Sequence, residues 1–128
     1  MSRVRSVSMG CVVAALAACG GSGSAPAGPS PGDNPNQMVI SSAGVLTPKE
    51  ITISAGSRVL FINNHSKPHY MASDPHPEHT DCQEMDPIGI LAPGARRETS
   101  NFVTPRTCGI HDHEDFANPS LQGRIIIR

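Results

Sequence analysis

The stretch that decides the fold is "LTPKEITISAGSRVLFINNHSKPHYM", residues 46 to 71. Apolar side chains alternate with polar ones in it, Ile51 and Ile53 in "EITIS", then Val59 and Phe61 in "RVLFINN". A period of two marks a strand with one face toward a core. Turn-forming residues separate the runs, at "SAGS" (54 to 57) and "NNHSKP" (63 to 68). Gly, Asn, Ser and Pro there accept backbone angles that a strand interior does not.

The same pattern continues outward. "LAPGA" (91 to 95) is another turn, and "GRIIIR" (123 to 128) another alternating run. No window carries a sustained helical stripe, and twelve scattered prolines leave no room for a long helix. Strands are expected near 38–42, 50–54, 58–63, 69–73, 88–91, 97–103, 107–112 and 123–128. The expected fold class is all-β, an antiparallel Greek-key β-sandwich of seven to eight strands.

In the other direction the chain begins "MSRVRSVSMGCVVAALAACG". Arg3 and Arg5 precede an apolar run too short to cross a bilayer as a helix, the pattern of an export signal. Leu16-Ala17-Ala18-Cys19 resembles the bacterial lipoprotein box, in which cleavage precedes a cysteine that then carries acyl chains. The resemblance implies a signal peptide over 1–18, lipidation of Cys19 and a membrane anchor. Gly20 after the cysteine implies a place in the cell envelope, at the outer membrane facing the periplasm or at the cell surface. Residues 19–37, rich in Gly, Ser and Pro, read as a flexible tether.

About ninety residues remain, 38–128, enough for one small domain. Loss of Arg3 and Arg5 from the ten Lys and Arg leaves eight against eleven Asp and Glu, a formal net charge of −3. No basic patch points to nucleic acid. One Tyr, three Phe and no Trp make a light core that a disulfide or a metal would support. With Cys11 in the signal and Cys19 lipidated, Cys82 and Cys108 are left, in a compartment where thiols pair.

Residues 46–71 resemble the front half of a cupredoxin, whose pattern runs I-x-I, turn Gly, V-x-F-x-N, then a histidine that ligates copper. "LAPGARRETSNFVTPRTCGIHDH" (91 to 113) resembles the back half, and "GRIIIR" its last strand. The resemblance implies a copper cofactor, with His69 in the place of the first copper ligand. Beyond His69, two registers compete. In one, "CGIH" supplies a thiolate, Cys108, and a second imidazole, His111, as in a type 1 blue-copper electron carrier that would serve a redox partner protein. The axial Met of such a site is absent from "DHEDFANPSLQ". In the other, "TPRTC" falls on the family's "xPGTY", Asp112 takes the place of the copper cysteine, and Cys108 is free to bond Cys82. The family's usual spacing to the Gly that opens the last strand, here Gly123, favours Asp112.

In the second register the insert "MASDPHPEHTDCQEMDP" (71 to 87) brings His76, and with it His79, toward His111 and His113. Residues 111 and 113 lie one apart and leave an extended strand on the same face. The candidate metal ligands are therefore His69, His76, His111 and His113, with Cys108 and His79 as further candidates, and Cys82–Cys108 as the candidate disulfide. Three or four imidazoles suit Cu(II) and also accept Zn(II). Asp112 is a candidate acceptor that orients an imidazole. His65, in the "NNHSKP" turn, reads as an ordinary surface residue, and Met71 and Met85 as core.

Three functions remain open: copper handling through a His-rich site, electron transfer through Cys108, or a metal-free, disulfide-stapled scaffold or adhesion module. No enzyme is expected. The sequence has no phosphate loop and no His-Glu-x-x-His.

Overall fold

The computed structural model describes residues 34–128. The export signal, Cys19 and the tether as far as residue 33 lie outside the described residues. Residues 34–37, read from sequence as the end of the tether, are fastened to the domain. Asn34 Nδ2 donates to Glu98 Oε1 at 3.0 Å and Asn36 Nδ2 to the Arg58 carbonyl at 3.2 Å.

Nine strands follow: β1 (Gln37–Ile40), β2 (Leu46–Thr47), β3 (Glu50–Ile53), β4 (Leu60–Asn63), β5 (His69–Ser73), β6 (Ile90–Leu91), β7 (Arg96–Glu98), β8 (Arg106–Asp112) and β9 (Gly123–Ile127). The only helices among the described residues are single 3-10 turns at Gln83–Met85, His113–Asp115 and Pro119–Leu121. Two sheets form the sandwich, ordered β2-β1-β4-β7 and β3-β9-β8-β5-β6.

The expected all-antiparallel arrangement is corrected in two places. β1 pairs parallel with β4, and β3 parallel with β9. The cause is the route of the chain. After the β1–β2 hairpin the chain crosses to the second sheet as β3, then returns as β4 on the free side of β1, running the same way. β3 likewise enters beside the C-terminal strand, with Ile51 opposite Ile125 and Ile53 opposite Ile127.

Between the sheets lie Met38, Ile40, Ile53, Val59, Phe61, Met71, Phe102, Ile110, Ile125 and Ile127. Burial of Val59 and Phe61 follows the alternation in the sequence. Leu60 and Ile62 are buried too, on the other side of β4, so this strand is covered on both faces. Met71 and Met85 are core residues.

Cys82 and Cys108 form a disulfide, with a Cα–Cα distance of 5.9 Å and a sequence separation of 26. Both are fully buried. Closing a loop of that length stabilises a small domain by roughly 3 kcal/mol in the chain-entropy account. The bond also pins the far end of the insert to β8, and that fixes the next layer of structure.

Candidate metal centre

β5 and β8 pair antiparallel, with Met71 opposite Asp112, Ala72 opposite His111 and Ser73 opposite Ile110. Successive side chains of a strand leave on opposite faces. Cys108, Ile110 and Asp112 therefore face the space between the sheets with His69 and Met71. His111 leaves on the outer face of the five-stranded sheet. One strand thus serves two environments, and all six histidines of the chain divide between them.

On the outer face, His76, His79 and His111 each offer a nitrogen within 4.8 Å of the other two. His111, 3% exposed, is held from behind: its Nδ1–H donates to Asp74 Oδ1 at 2.5 Å. That bond fixes the tautomer and leaves the Nε2 lone pair directed into the cluster, where it is buried without a partner. His79 is set the same way, with Nδ1–H donating to the Ser73 carbonyl at 2.7 Å. Its Nε2 accepts from Nδ1–H of His113 at 2.7 Å. Nδ1 of His76 is also buried without a partner. Two orphaned imidazole nitrogens in one small cluster are costly unless something binds them.

The insert takes its shape from backbone bonds. The amide of His79 donates to the Pro75 carbonyl at 2.7 Å and that of Asp81 to the Asp74 carbonyl at 2.8 Å. Ser73 Oγ donates to the His79 carbonyl at 3.0 Å and accepts from the Cys82 amide at 3.2 Å. These contacts hold His79 at φ 54°, in the left-handed region that a non-glycine residue seldom adopts. Phe116 stacks on His76, with ring centroids 4.2 Å apart and planes inclined by 7°. Tyr70 packs on His113 at 5.1 Å.

Burial lowers the pKa of His76 below its ordinary value of 6.5, and the neighbouring His113, His111 and His79 push it the same way, against Glu78. His76 is thus kept neutral at pH 7, with its lone pair available.

The donor set fits a metal. Bonds of about 2.0–2.1 Å to imidazole place three ligand nitrogens roughly 3.3–3.6 Å apart around one ion, so a set now within 4.8 Å closes on a metal by drawing together by up to about 1.5 Å. His113 adjoins it through His79.

The structure does not bring His69 to this group. It faces the interior, with Nδ1–H donating to Asp112 Oδ2 at 2.5 Å and Nε2 meeting Nδ1 of His65 at 2.7 Å. The β5–β8 register puts His69 and His111 on opposite faces, so no single ion joins them. The reading of Cys108 as a thiolate ligand is corrected as well, because its sulfur is bonded to Cys82. Sequence reasoning missed Asp74, whose carboxylate sets His111, and the contact of His65 with His69. Asp74 stands two residues before His76 on the insert, but only the register shows that it meets His111.

No family model matches the sequence, and no curated protein matches it. Solved structures do. A plastocyanin from Dryopteris crassirhizoma aligns at a TM-score of 0.55 with 20% identity, over 72% of this chain and 99% of its own. A purple cupredoxin from Nitrosopumilus maritimus aligns at 0.54 with 19% identity, over 72% and 98%. A copper-containing nitrite reductase from Thermus scotoductus aligns at 0.53 with 19% identity, over 73% of this chain and 22% of its own. The fold is that of a cupredoxin. One of the two registers of the sequence resemblance sets His69 against the family's first copper ligand and Asp112 against its copper cysteine. The two side chains touch, and Cys108 lies four residues earlier in a disulfide. The cupredoxin scaffold here carries its histidine cluster on the outside of a sheet.

Proposed function

We propose that this protein binds copper through His76, His79 and His111, with His113 as a fourth imidazole, and that it handles copper by binding, holding and passing it on. The observation that carries this reading is the pair of buried, unpartnered nitrogens, His76 Nδ1 and His111 Nε2, on two of the three imidazoles whose ligand nitrogens lie within 4.8 Å of one another. A bound Cu(II) would act there as a Lewis acid held by neutral nitrogen donors. The residues divide the work. Asp74 and the Ser73 carbonyl hold the protons of His111 and His79 away from the cluster, and Phe116 covers His76. With no thiolate at Cys108, electron transfer through a blue-copper centre loses its ligand.

The sequence features of residues 1–37 support a lipid-anchored protein of the bacterial cell envelope. Passing copper on then concerns a partner in that compartment, and no catalytic role is part of this reading.

Titration of the purified protein with Cu(II), followed by visible absorption, tests the site. The expected result is weak, saturable d–d absorption that His111→Ala abolishes. An intense charge-transfer band would show a thiolate ligand instead. No metal retained after dialysis would leave the stapled scaffold.

A further inference from the structure

Charge is distributed unevenly along the chain. Between Lys67 and Arg96, and again between Arg106 and Arg124, there is no lysine or arginine. The first of these runs holds five carboxylates and the second three, and the same two runs supply His76, His79, His111 and His113. The rest of residues 34–128 carries Glu50 and Glu98 together with all eight basic side chains.

Part of the acidic charge is answered. Asp112 faces His69 inside the sandwich, Glu84 accepts from Arg106 Nη2 at 2.6 Å, and Asp74 is engaged by His111. Glu78, Asp81, Glu114 and Asp115 are exposed and have no ion-pair partner among the described residues. Asp115 accepts from the neutral amide of Asn118, at 2.8 Å.

The backbone sets these four beside the outer cluster. Glu78 stands between His76 and His79, and its charge is felt at His76. The Asp81 amide bonds the Asp74 carbonyl at 2.8 Å and so closes the insert. Glu114 and Asp115 complete the 3-10 turn that begins at His113. Insert and turn thus bring negative charge from two sides.

An acidic rim alone is an ordinary solvated face. This one flanks a cluster in which His111, 3% exposed, has an Nε2 lone pair with no partner. Like charges gathered on one face oppose folding, and a divalent cation seated among the imidazoles would offset them.

We propose that Glu78, Asp81, Glu114 and Asp115 draw positively charged copper to the outer cluster. The substrate of the site is then a cationic species, the hydrated ion or a complex that keeps a net positive charge, and not an anionic chelate. This rests on the copper-binding reading of the cluster. The carboxylates stand near the ligands without being among them, so they act on approach. Converging charge of one sign raises encounter rates by about 10- to 1,000-fold. Salt erases the effect, because the screening length falls from about 30 Å at 0.01 M to about 3 Å at 1 M.

The sign of the salt effect tests this without any substitution. Bound Cu(II) quenches nearby tyrosine fluorescence, and Tyr70, the one tyrosine of a chain without Trp, has its ring 5.1 Å from that of His113. Stopped-flow quenching by bis(ethylenediamine)copper(II), a dication, is expected to slow by about tenfold or more across that range of salt. Uptake from nitrilotriacetatocopper(II), a monoanion, is expected to quicken. Glu78→Gln/Asp81→Asn/Glu114→Gln/Asp115→Asn should flatten both slopes and leave the equivalents of Cu(II) held unchanged. Slopes that do not differ in sign in the unaltered protein, or that survive in the quadruple variant, would overturn the steering while the copper site stands. No saturable quenching by either complex would instead overturn the copper site, and the capture of copper with it.

Discussion

The carboxylate of Asp74 lies directly over Gly109 and reaches across it to His111. Its Oδ1 accepts from His111 Nδ1 at 2.5 Å, and a Cβ at residue 109 would fall 1.9 Å from its Oδ2. The backbone agrees, since the Asp74 amide donates to the Gly109 carbonyl at 2.9 Å. The missing side chain at 109 is what lets a carboxylate set the tautomer of a histidine two positions along the strand.

Gly109→Ala is therefore expected to fold and to bind metal poorly. Displacing Asp74 frees the His111 ring, and loss of such a supporting acceptor costs about 10- to 100-fold in metal affinity. Asp74→Ala should fall in the same range, and the two changes combined should cost little more than either alone. Competition titration with a chelator measures this, and full additivity would mean that Gly109 and Asp74 act separately.

Cys82→Ser/Cys108→Ser should destabilise the domain by about 2–5 kcal/mol, read from urea unfolding midpoints. The same variant should weaken the outer site, because the Cys82 amide bonds Ser73 Oγ, the hydroxyl that also holds His79. An unchanged affinity in the folded variant would show that the insert keeps its shape without the covalent tie.

The stability of the metal-free protein should drop on acidification through the outer cluster. His76 has a pKa below the ordinary 6.5 in the folded chain, chiefly through burial, and about 6.5 in the unfolded chain. The unfolded state then takes up its proton first. The contribution is complete above about pH 6.5 and is lost as pH falls from there toward the lowered folded value. His76→Gln should flatten this limb of the profile, and a limb unchanged in the variant would assign it to another group.

Phe116 is half exposed yet stacked on His76. A stacked aromatic pair contributes about 0.5–1.5 kcal/mol beyond its area, so Phe116→Ala should shift the unfolding midpoint only slightly. Its larger effect should be on the rate of metal loss to a chelator, several-fold faster by stopped-flow. An unaltered rate would show that the ring covers nothing on the exit path.

Most strands were legible because alternation is local. Ile51, Ile53, Val59 and Phe61 declared themselves, whereas β2, two residues ahead of Pro48, was too short to show a period. Strand direction was not legible, since β1 and β4 read alike in either sense and only the crossing of β3 makes them parallel. The site shows the same division. His111 could be placed on β8 by counting along a single strand, whereas His113 falls just past its end in a 3-10 turn, and the sequence left Cys108 open between a bond to Cys82 and a thiolate ligand. The side of His69 depended on which residue of β8 stands opposite Met71, a register fixed by packing across the sheet. Asp74 was passed over for a related reason, because His111 is distant from it in sequence and close only after β5 and β8 meet, whereas His65 lies four residues from His69 and meets it through the shape of the intervening turn.

β8 lies third of five strands, bonded on both sides, and brings His111 to the cluster. His76 and His79 come from the insert, held by a few turn bonds and one sulfur bridge. Any ion in the outer cluster would thus join a stiff half to a soft one. Hydrogen exchange at the amides of β8 should hardly respond to loading. Residues 74–82 should slow sharply, so that occupancy is recorded in the dynamics of one short loop.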